Sequence, residues 1–158
     1  MLIPPCPALS EILTTRDVQR SMVHIKMLSG DYPCYSNLGY DQNQPTHCRL
    51  CLAVHPNKPP PEENMVHLLA MCRGTSDIRS PFISNLLNTV SLYFPENELL
   101  VHTNHTHLTQ FILDPTSLNL PMTIRVSPGH PAMAHILDIS RSLCYATHKA
   151  RTNLLKKL

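Results

Sequence analysis

Apolar side chains recur every three or four residues in several stretches of the chain, which is the period of a helix with one buried face. The first stretch has its apolar face at Val18, Met22, Ile25 and Leu28. It predicts a helix over residues 15–29. Thr14 and Asp17 have the spacing of a capping box at its start, and Gly30 stands where a glycine commonly ends a helix.

Two longer apolar stripes predict helices in the second half of the chain. Ser80 and Pro81 form a favourable helix start, with serine as the N-cap and proline in the first turn. The stripe that follows consists of Phe82, Ile83, Leu86, Leu87, Val90 and Phe94. The longest helix is predicted after Pro131, with an apolar face at Met133, Ile136, Leu137, Ser140, Leu143, Cys144, Thr147, Ala150 and Leu154.

Two shorter helices complete the pattern. Glu62 and Glu63 are predicted to open the first, because acidic side chains in a first helical turn interact favourably with the helix dipole. Apolar residues within 108–112 predict the second, which ends at Asp114. Residues 122–126 alternate too weakly to predict a strand. The sequence therefore predicts a mainly α fold, in the form of a small multi-helix domain.

The composition supports a folded domain with stiff connections between its helices. Of the 158 residues, 42% are hydrophobic and 15% are charged, so a core can form. Fifteen prolines against four glycines indicate proline-containing loops. The net charge of +2 is too small to indicate nucleic-acid binding on its own. No apolar run reaches the roughly 20 residues of a membrane span, so no membrane association is expected.

Four residues in the middle of the chain have the types and spacing of zinc ligands. Cys48, Cys51, His67 and Cys72 form the pattern C-x2-C-x15-H-x4-C. Three sulfurs and one nitrogen make a closed tetrahedral Zn²⁺ set, which leaves no position for a reacting water. The sequence therefore predicts a structural Zn²⁺ within an irregular, zinc-stapled segment over residues 31–75.

Other interpretations of the same residue types stay open. His47 and His55 lie close enough in sequence to replace His67 as the fourth ligand. A secreted disulfide protein would require an export signal, which the opening residues do not resemble. A second histidine group, at His102, His105 and His107, is interpreted as part of a polar loop and a helix start.

The longest predicted helix also carries a basic face. Its residues are Arg141, Tyr145, His148, Lys149, Arg151, Lys156 and Lys157. The cations are suited to phosphates, and Tyr145 is suited to stacking on a base. The alternative is a solvated face whose basic residues interact favourably with the C-terminal end of the helix dipole.

Several short motifs occur in an order that is typical of one family. The segments read HIKMLSGDY at 24–32, CRLC at 48–51, EENMVHLLAMC at 62–72, IRSPF at 78–82, ILDP at 112–115 and ISRSLCYATHKAR at 139–151. Over residues 15–152 the chain resembles the region that follows the reverse transcriptase in LINE-type (non-LTR) retrotransposon polyproteins. Glu63, four residues before His67, matches the family form E-x-x-x-H-L-L-x-x-C.

The resemblance implies that the four Cys and His residues bind zinc in a Cys-rich domain that helps to hold template RNA or target DNA. The chain has no Tyr-x-Asp-Asp polymerase motif, so it is expected to be a non-catalytic fragment or orphaned tail. Residues 1–30 would end an upstream thumb-like region, 31–75 would bind zinc, and 76–158 would form a C-terminal helical region.

The expected partners are RNA, DNA or both, together with the upstream reverse transcriptase domain, and the expected location is intracellular, in the nucleus or the cytoplasm. An alternative function remains open. A zinc-stabilised protein-interaction module would dock on a polymerase or another partner through the exposed side of the helix at 82–94.

Overall fold

The computed structural model describes residues 18–34, 46–94 and 104–158. Its helical elements are α1 (Val18–Ser29), α2 (Arg49–Val54), a π-helix (His67–Met71), a 3₁₀-helix (Arg73–Thr75), α3 (Ser76–Tyr93), α4 (His105–Leu113) and α5 (Met133–Leu155). Within these ranges, extended pairing is limited to an isolated antiparallel bridge between His47 and Glu62. The predicted mainly α fold is confirmed.

The long helix α5 is the centre of the fold. It packs against α1 on one side and α3 on another, and it also contacts α2, α4 and the π-helix. One apolar cluster contains Met27 of α1, Leu68 of the π-helix, Leu86 of α3, Phe111 of α4 and Ile136 of α5, all fully buried. Residues from the three regions 1–30, 31–75 and 76–158 thus contribute to one core. In the described ranges, no helix combines the length and apolar character that a membrane span requires.

Several predicted helix ends agree with the structure. Gly30 has a φ of +81°, a left-handed conformation that favours glycine, and it ends α1. The Asn104 side chain accepts a hydrogen bond from the His107 N–H at 3.0 Å and caps α4, which ends before Asp114 as expected. The capping box predicted at Thr14 and Asp17 lies outside the described residues.

The predicted start of α3 is wrong. The helix begins at Ser76, so Pro81 lies within it rather than in its first turn. Proline has no N–H to bond the carbonyl of Asp77, and the helix tolerates this single missing bond close to its N-terminus. Asp77 supplies an earlier start signal, because its carboxylate lies in the first turn near the positive end of the helix dipole.

The predicted helix opening at Glu62 and Glu63 is also wrong. Glu62 lies in the bridge to His47, and Glu63 is fully buried. The turn begins instead at Asn64, whose side-chain oxygen accepts a hydrogen bond from the His67 N–H at 2.9 Å. Glu62 thus pairs through its backbone, and the Glu63 carboxylate pairs with Arg151, neither of which a helix-dipole argument considers.

Candidate metal centre

The site has two halves, one with Cys48 and Cys51 and the other with His67 and Cys72. A short backbone pairing brings these halves together. The Cys48 N–H donates to the Pro61 carbonyl at 2.8 Å, and the Glu63 N–H donates to the Thr46 carbonyl at 2.9 Å. These bonds close the proline-rich loop between α2 and the π-helix. As a result, residues that are 15 or more positions apart along the chain lie side by side.

Each half of the site presents its ligands from the end of a helix. Cys48 is the N-cap of α2 and Cys51 lies in the first turn of that helix. His67 is the first residue of the π-helix, and Cys72 directly follows its last residue. All four side chains are buried, and their ligand atoms lie within 4.8 Å of one another. The structure thus brings together all four predicted metal residues.

The distances between these atoms match the edges of a zinc tetrahedron. The Cys72 Sγ lies 3.8 Å from the Cys48 Sγ and 3.9 Å from the Cys51 Sγ. The Cys51 Sγ lies 3.4 Å from the His67 Nε2. With Zn–S bonds of about 2.3 Å and a Zn–N bond of about 2.0 Å, the corresponding edges are about 3.8 Å and about 3.5 Å. Three of the six edges thus agree with a zinc tetrahedron, and the other separations do not exceed 4.8 Å. The donor set therefore fits Zn²⁺.

The electrostatics of the cluster also favour a cation. The hydrogen bond between the Cys48 and Cys72 sulfurs lowers the pKa of Cys72 and raises the pKa of Cys48. Deprotonation of one sulfur makes deprotonation of the other less favourable, because two thiolates so close together repel each other. A divalent cation at the centre would remove this repulsion and hold all three sulfurs as thiolates.

The structure distinguishes His67 from the other proposed histidine ligands. Among the described residues, the cluster contains His67 and neither His47 nor His55. Both of the other histidines are exposed. In this structure it is His67 whose ligand atom converges with those of the three cysteines.

The cysteines do not form a disulfide framework in the described ranges. Cys34, Cys48, Cys51, Cys72 and Cys144 are all free and buried. The sulfur–sulfur distances in the cluster are far longer than the bond of about 2.05 Å in a disulfide. In the second histidine group, His105 and His107 lie in the first turn of α4, and His102 lies outside the described residues.

A glycine allows the two halves to approach each other. A Cβ on Gly74 would lie 2.6 Å from the Leu50 Cβ and 3.2 Å from the Leu50 carbonyl carbon. Gly74 lies two residues after Cys72 and Leu50 lies between Cys48 and Cys51, so the ligand-bearing segments touch at this point. Sequence reasoning missed this role, because only the tertiary structure shows the close contact.

The far end of α5 covers the metal centre. Leu154 and Leu155 pack against an apolar cluster formed by Cys48, Leu50, Cys51 and Cys72. Sequence reasoning assigned Leu154 to the apolar face of α5 but did not connect it with the cysteines. The contact ties the last turn of the longest helix to the proposed zinc site.

The predicted basic face is only partly exposed. Arg141 and Arg151 are buried, with 4% and 7% of their surface accessible, so neither guanidinium is placed to meet a nucleic acid. Arg151 donates from its Nε and from one terminal nitrogen to the Glu63 Oε1, and from the same terminal nitrogen to the Pro33 carbonyl at 3.2 Å. Helical periodicity put Arg141 opposite the apolar stripe, and Arg151 was counted among the basic residues of the same helix, but α5 is packed against several other elements.

The other residues of the predicted face are accessible to different degrees. Lys149 and Lys156 are exposed, while Tyr145 and His148 are half-buried. The Tyr145 hydroxyl donates to the Gln19 side chain at 3.1 Å, and the His148 Nδ1 lies 2.9 Å from the Tyr32 hydroxyl. A groove of about 400 Å³ runs between α1 and α5 beside Tyr145, His148 and Lys149.

Comparison with known proteins adds no relative. No family model matches the sequence, no curated protein is significantly similar to it, and no solved structure is significantly similar to the fold. The fold and the site therefore define the protein as a mainly α protein with a buried Cys3His cluster that can bind a metal ion.

Proposed function

We propose that the protein is a non-catalytic, zinc-stabilised helical module that binds nucleic acid and derives from the tail of a LINE-type reverse transcriptase. The observation that carries the zinc part is the convergence of four buried ligand atoms within 4.8 Å. Three of the distances between these atoms also agree with the edges of a zinc tetrahedron. Four protein ligands also leave no open coordination position, which is typical of a structural site.

The groove between α1 and α5 supports the nucleic-acid part of the proposal. Lys26 of α1 and Lys149 of α5 line it, together with the half-buried Tyr145 and the buried Tyr32, and none of its described lining residues is acidic. Burial together with the charges of Arg151 and Lys26 lowers the pKa of His148, so its ring is neutral at pH 7. Two exposed cations beside the half-buried Tyr145 ring suit a phosphate and a stacked base of a single strand.

Binding of single-stranded oligonucleotides tests this proposal. The zinc-loaded protein is titrated into labelled RNA and DNA at several salt concentrations, and fluorescence anisotropy reports the affinity. We expect the affinity to fall steeply with salt, because cation–phosphate contacts release counterions. Lys26→Gln and Lys149→Gln should each weaken binding roughly threefold to tenfold. Lys58→Gln, an exposed lysine outside the groove, is the matched control. No binding at low salt would refute the nucleic-acid part and leave the zinc part intact.

The order of the sequence motifs supports the retroelement origin. The zinc pattern occupies the position that the resemblance implies, and the same four residues converge in space. Extension of the genomic reading frame upstream into a polymerase would support the origin. A frame that is unrelated to a reverse transcriptase in complete copies of the gene would contradict it.

A second function, protein interaction, is favoured by exposed apolar residues at the end of α3. Leu92 is 75% exposed and Tyr93 is 44% exposed. Phe82 and Ile83, by contrast, are half-buried and pack on the core, so this contact face would be shorter than the predicted one. The test is whether the protein captures the upstream reverse transcriptase domain in a pull-down. Capture by the wild type that is lost in Leu92→Ser would favour this function over nucleic-acid binding.

A further inference from the structure

Arg79 of α3 contacts the backbone beside the metal centre, and it lies in the IRSPF motif at 78–82 without a role predicted from the sequence. Its side chain is buried, with 8% of its surface accessible. One terminal nitrogen donates to the Cys72 carbonyl at 2.8 Å, to the Leu68 carbonyl at 3.3 Å and to the Thr75 hydroxyl at 3.3 Å. The guanidinium thus hydrogen-bonds the backbone at the C-terminal end of the π-helix, which Cys72 directly follows.

Arg79 has no carboxylate partner in the part of the chain that the structure describes, where the ion pairs join other residues. A buried guanidinium without an anion is costly. The guanidinium is bonded directly to the backbone of a ligand residue, Cys72. Burial lowers the pKa of Arg79, while the charges of Cys72 and Cys51 act in the opposite direction. The arginine and the cysteines therefore interact electrostatically.

The charge of the occupied site explains why a cation is needed there. Zn²⁺ with three thiolates and one neutral imidazole has a net charge of −1. An isolated negative charge inside a protein is strongly unfavourable, and one buried cation at this position brings the local charge to zero. The carbonyl groups alone need only a neutral donor, so hydrogen bonding does not require an arginine.

We propose that Arg79 is the counter-charge of the metal centre, a positioning residue that neutralises the zinc–thiolate cluster and orients Cys72. This inference rests on the proposed zinc site and deepens it. It predicts that the affinity for zinc depends on the charge at position 79, and that this dependence disappears when the cluster itself is made neutral.

The first test compares variants of the full chain by competition for zinc with a chromogenic chelator. Arg79→Gln keeps a hydrogen-bond donor and removes the charge, whereas Arg79→Lys keeps the charge. We expect Arg79→Gln to weaken zinc binding at least tenfold and Arg79→Lys to weaken it clearly less. Arg49→Gln removes the same charge from an exposed position next to Cys48 and should leave the affinity within about twofold.

The second test changes the charge of the cluster. Cys51→His converts the donor set to two thiolates and two imidazoles, so the occupied site becomes neutral. The cavity of about 360 Å³ beside Cys51 and His67 gives the larger ring space. In this background Arg79→Gln should cost less than about threefold in zinc affinity. A purely structural role would give the same loss in both backgrounds.

The outcomes separate this inference from the proposed function. A wild-type chain that holds no zinc would refute the metal site itself. Stoichiometric zinc in the wild type, with equal losses for Arg79→Gln and Arg79→Lys, would keep the site and overturn the counter-charge. If Arg79→Gln alone fails to fold, near-native zinc binding by Arg79→Lys supports the proposal, and failure of both variants overturns it.

Discussion

At the scale of single residues, Gly74 controls how closely the two halves of the metal centre approach each other. Gly74→Ala would place a Cβ 2.6 Å from the Leu50 Cβ, so the 3₁₀-helix or α2 must move. We expect a loss of about 1–3 kcal/mol in the free energy of unfolding, as for other overpacking substitutions, and a weaker affinity for zinc. Chemical denaturation and chelator competition measure the two effects.

The matched control for this prediction is Gly129→Ala. A Cβ on Gly129 meets nothing within 4 Å, so stability should change by less than about 0.5 kcal/mol. Equal effects of the two substitutions would show that the contact with Leu50 is not the cause.

A second residue-scale prediction concerns the buried ion pair between Glu63 and Arg151. Glu63→Gln removes the anion and leaves a buried guanidinium, so we expect a loss of about 3–5 kcal/mol in the free energy of unfolding. Asp138→Asn is the control, because the Arg20–Asp138 pair is largely exposed and such pairs contribute less than about 1 kcal/mol. Urea denaturation of the zinc-loaded proteins measures both. A loss below 1 kcal/mol for Glu63→Gln would contradict the assigned role.

A third residue-scale prediction concerns pH and His24. Burial lowers the pKa of His24 below its usual 6.5, and its Nε2 lies 3.2 Å from the Ile112 carbonyl oxygen. The folded state therefore binds a proton less readily than the unfolded state. The contribution to stability is complete above pH 6.5 and is lost as the pH falls towards the folded pKa.

His24→Gln provides the measurement for this pH dependence. Between pH 6.5 and 5.5 the wild type should lose up to about 1 kcal/mol more of its free energy of unfolding than the variant does, because the unfolded histidine is already half protonated at pH 6.5. Loss of zinc in acid affects both proteins, so their difference isolates His24. Parallel stability curves for the two proteins would contradict the prediction.

At the scale of elements, the metal centre holds the short helices against the end of α5. Leu154 and Leu155 pack on the cysteine cluster, whereas α4 is packed in the main core. We expect chelation to remove hydrogen-exchange protection from α2, the π-helix and the last turn of α5, and to leave α4 protected. Protection that is unchanged in α2 after complete removal of zinc would contradict this coupling.

The elements also show where sequence patterns succeed. Helices α1, α4 and α5 were predicted from apolar spacing and from local end signals such as Gly30 and Asp114. Ser80 and Pro81 led to a predicted start of α3 that is too late in the chain. Proline is tolerated near the N-terminus of a helix as well as in its first turn. A short helix was predicted in the region of the π-helix, but its start and its π geometry were not, because apolar spacing does not reveal a π turn.

At the scale of the whole molecule, the ligand set was predictable and its surroundings were not. Two Cys residues separated by two positions and a His and Cys separated by four are local signals. Gly74 and Leu155 act through contacts with remote segments, which no local pattern contains. Arg79 contacts nearby residues, but its burial depends on the tertiary packing of α3. For the same reason Arg141 and Arg151 were assigned to an exposed face, although tertiary packing buries both.

The central claim is that three sulfurs and one imidazole nitrogen bind one zinc ion, and X-ray absorption at the zinc edge of the purified protein tests it most directly. The account predicts one zinc per chain, with three sulfur neighbours at about 2.3 Å and one nitrogen at about 2.0–2.1 Å. A shell of nitrogen and oxygen atoms alone, or a protein that holds no zinc at stoichiometric supply, would contradict it.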